Sequence, residues 1–80
     1  MKGGDMSEIT IGFLREKLKL FLREFEVEEI LNKVISSAGL AKKESYSGEE
    51  VEKIVEAMIA EGGFVEFVGR NIRTRLLLGE

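Results

Sequence analysis

Apolar positions in the chain recur at helical spacing over three stretches. Ile11, Leu14, Leu18, Phe21, Leu22 and Phe25 fall on one face at about 100° per residue and predict a first helix over about 9–25. Phe13 and Leu20, seven residues apart, stack on another side of that helix among Glu16, Lys17 and Glu24. Two large apolar groups there need a second partner. Val27, Ile30, Leu31, Val34, Ile35 and Ala38 form the next stripe and predict a second helix over about 27–38, its polar side carrying Glu28, Glu29, Asn32 and Lys33. No Gly or Pro separates these two helices, so one bent helix and two separate ones both fit. Only a shift in the stripe near Phe25 to Val27 argues for a break.

Gly39-Leu40 reads as a helix stop, glycine taking the left-handed position and leucine folding back. Residues 41–46 lack periodicity and predict an exposed loop. Ser47-Gly48-Glu49-Glu50 fits a capping box ahead of a third helix over about 48–61, with Val51, Ile54, Val55, Met58 and Ile59 as its buried stripe. That stripe copies the second helix at an offset of 24 residues, which a helix-hairpin duplication could produce and any two core helices of similar length explain better. Gly62-Gly63 ends the helix. Phe64–Val68 and Asn71–Leu78, joined by Gly69-Arg70, then predict a hairpin with a type II′ turn. Its register sets Phe67 opposite Ile72, Val65 opposite Thr74 and Glu66 opposite Arg73, so that charges meet on one face and apolar groups on the other. The expected fold is therefore α+β: three helices (about 9–25, 27–38 and 48–61) followed by a C-terminal β-hairpin (64–68 and 71–78). Residues 1–8 read as a flexible tail and 9–80 as a single small domain.

Composition narrows the chemistry. The 80 residues contain no His, Cys, Pro or Trp, and 12 Lys plus Arg stand against 15 Asp plus Glu, a net charge of −3. Without cysteine there is no disulfide, thiolate nucleophile or sulfur-based metal site, and without histidine no side chain ordinarily titrates between about pH 5 and 8. Neither a transmembrane run of about 20 apolar residues nor a signal-peptide core in Met1–Asp5 is present, so a cytoplasmic protein without a membrane partner is expected. Charged residues are 34% of the chain and glutamine is absent, a bias seen in proteins from hot environments.

Candidate chemistry is sparse. Glu28, Glu29, Glu49, Glu50, Glu52 and Glu56 all lie on the polar sides of predicted helices, where a solvated face explains them better than a catalytic dyad, which needs burial to separate its pKa values. They also lack the alternating spacing of a calcium loop. Nine glycines form neither the dinucleotide-binding pattern nor a phosphate loop. Ser36-Ser37, Tyr46 and Ser47 are better explained by caps and local hydrogen bonds than as nucleophiles. The expectation is no enzyme, no metal and no cofactor. One cluster invites a binding role: Arg70, Arg73 and Arg75 beside Asn71, in a segment (64–80) of net charge +1 that follows a segment (41–63) of net charge −3. Arginine forks suit phosphate or carboxylate.

The stretch from Ser47 to Leu78, with Ala60-Glu61-Gly62-Gly63-Phe64-Val65-Glu66-Phe67-Val68-Gly69-Arg70 at its centre, resembles part of a winged helix-turn-helix domain. That resemblance implies a third helix entering the major groove through Glu49, Glu50, Lys53 and Glu56, and a wing touching the DNA backbone through Arg70, Arg73 and Arg75. DNA affinity rests largely on lysine and arginine replacing counterions, and this third helix is acidic. Winged domains also serve as protein-interaction modules, which suits an acidic surface. The functional expectation is a non-enzymatic protein-interaction or oligomerisation module, homodimeric, whose contact surface is Phe13, Leu20, Phe64, Val68 and Leu77. The alternative is a nucleic-acid-binding regulator that uses Arg70, Arg73 and Arg75.

Overall fold

Thr10 starts the first helix: its hydroxyl oxygen accepts a hydrogen bond from the Phe13 amide at 3.0 Å, satisfying one of the free donors of the first turn. In the computed structural model, which describes residues 8–78, this helix is α1 (Ile11–Lys19). It is followed by α2 (Glu24–Ser37), α3 (Glu49–Glu61) and α4 (Gly63–Leu77). Two short strands, β1 (Ile9–Thr10) and β2 (Ser45–Tyr46), pair antiparallel with Ile9 opposite Tyr46. The tail expected over 1–8 lies, apart from Glu8, outside the described residues.

The C-terminal hairpin does not form; residues 63–77 are α4. Valine and phenylalanine favour strands, but Val65, Val68, Gly69, Ile72 and Leu76 recur at helical spacing, and all but the half-buried Leu76 are buried. Burying one helical stripe against the rest of the core outweighs local strand preference. Glu66 accordingly meets Arg70, one turn on, at 2.7 Å, and not Arg73 across a hairpin. Gly69 is no turn. A Cβ at that position would lie 2.9 Å from Met58 Cβ and 3.3 Å from the Val55 carbonyl oxygen, so its missing side chain lets α3 and α4 approach closely. Gly62, with φ 83° and ψ −178°, a conformation reserved almost entirely for glycine, joins these helices together with Gly63 at φ 60°.

The first helix is also shorter than its stripe suggests. Residues 9–10 are extended, α1 stops at Lys19, and Phe21 and Phe25 lie exposed. A new cap accounts for the break: the Glu26 carboxylate accepts from the Arg23 amide at 3.0 Å and begins α2 at Glu24. Gly39 and Leu40 close α2 as expected, their amides donating to the Ser36 and Ile35 carbonyls. Ser47 only half fulfils its capping box. Its amide is within reach of Glu50, but no side chain caps α3. The expected exposed loop, 41–46, holds β2 and buries Tyr46, whose hydroxyl accepts from the Lys43 amide and donates to the Ala41 carbonyl, both at 2.9 Å.

One core runs through all four helices, with Leu14, Leu18, Leu31, Ile54, Met58 and Ile72 among its most enclosed side chains. Ion pairs brace its outside. Glu28 takes Arg15 and Lys42, Glu50 takes Lys43, and Glu61 takes Lys33 at 3.0 Å. Among the described residues no helix is long and apolar enough to cross a membrane.

Candidate interaction surface

Helix α1 ends in a tight turn in which the Phe21 and Leu22 amides both donate to the Leu18 carbonyl, at 3.0 and 2.9 Å. That turn directs Leu20 and Phe21 away from the core. On α4, Phe64 and Phe67 sit one turn apart beside the buried row of Val65, Val68 and Ile72. The two helices run antiparallel along one seam. Phe21 meets Phe64 and Phe67 at one end, while Phe13 shares a cavity with Ile72, Arg75 and Leu76 at the other.

The aromatic end is ordered by ring geometry. Phe21 stacks on Phe64 with centroids 5.3 Å apart and 11° between planes, and meets Phe67 edge to face at 5.6 Å and 84°. Both arrangements are favourable for rings with negative faces and positive edges. The rings remain open to solvent: Phe64 is 58% exposed, Phe67 55%, Phe21 39% and the neighbouring Leu20 72%. From typical side-chain areas, these four residues expose on the order of 400 Å² of contiguous apolar surface, within the range of the largest patch on a monomer. The Phe21–Phe67 contact forms a ridge between two hollows. One, of about 410 Å³, lies among Phe21, Gly63, Phe64 and Phe67; the other, of about 130 Å³, is lined by Leu20, Phe21, Phe67, Val68, Lys17 and Asn71.

Of the five residues expected to make the contact surface, Leu20 and Phe64 belong to this patch. Val68 reaches only the floor of the smaller hollow: it is 3% exposed and packs in the core, because α4 turns it inward where a strand would have turned it out. Phe13 is half-buried at the opposite end of the seam. Leu77 is exposed but sits 13 residues, about 20 Å, along α4 from Phe64, beside Glu52, Glu56 and Arg73. Phe21 and Phe67 also belong to the patch, although spacing along the chain places the first on the core stripe and pairs the second with Ile72 on the apolar face of a hairpin. A helical reading of 64–77 sets Phe64 and Phe67 outside the Val65-Val68-Ile72 row and signals both as surface residues.

The arginines are dispersed by the same helix. Arg70 is held by Glu66, Arg73 lines a cleft with Glu52 and Glu56, and Arg75 lies over the Phe13 ring with its guanidinium carbon 5.9 Å from the centroid. Around the α4 axis, Arg75 stands about 140° from Arg70, so the three do not converge on one anion. Electrostatic shifts belong to the bracing pairs. The hydrogen bond from Arg15, followed by its charge and that of Lys42, holds Glu28 below its ordinary value of 4.5. Lys43, aided by the Ser47 amide, does the same for Glu50. Neither carboxylate lines the patch. No group of three or more acidic, histidine or cysteine side chains among the described residues is placed to hold a metal ion.

Comparison with known proteins finds no family model, no curated protein and no solved structure that matches the chain.

Proposed function

We propose that the chain is a non-enzymatic interaction module that pairs with a second copy of itself through Leu20, Phe21, Phe64 and Phe67. The observation that carries this reading is the exposed, stacked aromatic cluster with Leu20 beside it. Water contact with so much apolar surface is unfavourable by about 25 cal/mol per Å², and covering it favours association. A second copy suits the relief of the patch. A two-fold axis sets the Phe21–Phe67 ridge of one protomer into the Phe64 hollow of the other, and each contact then occurs twice. An apolar centre of this size with a polar rim matches the roughly 800 Å² per partner of a standard interface. A small domain with a modest core also gains most from such pairing.

Sedimentation equilibrium tests the proposal. The wild type is expected to dimerise at micromolar concentration, and Phe64→Glu or Leu20→Glu to weaken the dimer by about 30-fold or more while leaving helical circular dichroism intact, as for a hot-spot residue. A strict monomer at high micromolar concentration would remove the self-association.

A further inference from the structure

At the far end of the α1–α4 seam from the aromatic patch lies a half-enclosed cavity of about 260 Å³. Its floor and walls are Ile9, Phe13, Ile72 and Leu76, all buried or half-buried; its rim carries Glu8, Thr10 and Arg75. Glu8 and Arg75 bear opposite charges at the mouth of the same cavity, yet among the described residues they form no ion pair with each other or with any other side chain. Arg75 instead lies over the Phe13 ring, a contact that steadies the guanidinium and takes none of its hydrogen-bond donors. The Thr10 hydroxyl oxygen is occupied as acceptor by the Phe13 amide, which leaves its O–H available to donate.

We infer that this cavity binds a free α-amino acid with an apolar side chain. Such a zwitterion uses every part of the lining. Its carboxylate takes the Arg75 guanidinium and the Thr10 O–H, its ammonium takes Glu8, and its side chain displaces water from Ile9, Phe13, Ile72 and Leu76. A simple fatty acid would leave Glu8 facing its carboxylate, and an apolar amine would leave Arg75 unanswered; the paired rim charges select against both. The site stands apart from Phe21, Phe64 and Phe67, so it does not depend on self-association.

Titration of the full chain with L-leucine, followed by two-dimensional amide NMR and calorimetry, tests the inference. L-Leucine is expected to bind with a dissociation constant of about 0.1–5 mM, the scale for a small ligand at a half-open site, and to shift the amides of residues 9–13 and 72–76. 4-Methylpentanoate, which lacks the ammonium, and 3-methylbutylamine, which lacks the carboxylate, should each bind about tenfold more weakly or worse. Glu8→Gln and Arg75→Gln are exposed substitutions that should weaken leucine binding by a similar factor, whereas Arg70→Gln should not. Absence of leucine binding at 20-fold above that range would overturn the site, as would equal binding of all three compounds. Because the Phe64→Glu variant keeps this cavity, leucine binding by the monomer separates failure of this inference from failure of the dimer.

Discussion

Replacing Gly69 by alanine adds one methyl group at a position where its nearest neighbour, Met58 Cβ, belongs to the fixed stem of a buried side chain. Helix propensity alone favours alanine by about 1 kcal/mol. Overpacking between two helices costs about 1–3 kcal/mol, and with a 2.9 Å approach to a stem atom and a backbone oxygen also in contact, the steric cost wins. Gly69→Ala is therefore expected to lower the urea midpoint, with a net loss of up to about 2 kcal/mol of stability; a raised midpoint would show that α3 and α4 have room to separate. Tyr46 presents the complementary case. Its hydroxyl satisfies two loop backbone groups at once, so Tyr46→Phe should cost about 1–2 kcal/mol with little change in helix content, measured by thermal melting.

At the scale of elements, α4 is the decisive one. Amide and Cα chemical shifts should identify residues 63–77 as a continuous helix, and extended-strand shifts over 64–68 would contradict this fold. The joint before it uses positive φ at both Gly62 and Gly63: Gly62→Ala forces a side chain into a positive φ and is expected to destabilise by about 1–3 kcal/mol despite open space around the site. Ion pairs between elements contribute to the acid side of the stability curve. Glu28 and Glu50 are lowered in the folded state, so their contribution is complete above the ordinary value of 4.5 and is lost as pH falls through their depressed values. Melting temperature should thus decline below about pH 4.5, and the Glu28→Gln, Glu50→Gln double variant should flatten that decline; an unchanged slope would assign acid sensitivity elsewhere.

For the whole molecule, the proposed self-contact and the proposed ligand cavity at the two ends of the α1–α4 seam would be held by different forces. An aromatic contact is governed by water and should be nearly indifferent to ionic strength, changing less than about twofold between 50 and 300 mM sodium chloride, and should strengthen in sulfate. Melting temperature should also rise with protein concentration, since pairing stabilises only the folded chain. Loss of dimer on addition of sodium chloride would transfer the contact to the charged rim.

Much of this protein was determined by local pattern. Val27 to Ile35 and Val51 to Met58 each present one apolar face at helical period, and glycines at 39 and 62 interrupt them, so α2 and α3 are legible from side-chain spacing and backbone freedom alone. Absence of histidine and cysteine likewise excluded thiol and imidazole chemistry before any fold was known. Residues 64–77 were another matter. Phe, Val, Thr and a Gly-Arg pair satisfy a strand–turn–strand pattern and a helical stripe equally well, and the choice lies in the core, where α4 packs its buried stripe closely against Val55 and Met58 of α3. The surface followed from that choice. Once α4 turns about 100° per residue, Val68 goes inward, Phe67 comes out beside Phe21, and the three arginines part company. A contact surface of this kind is assembled from two helices distant in sequence, so its composition depends on their packing and not on the spacing within either one.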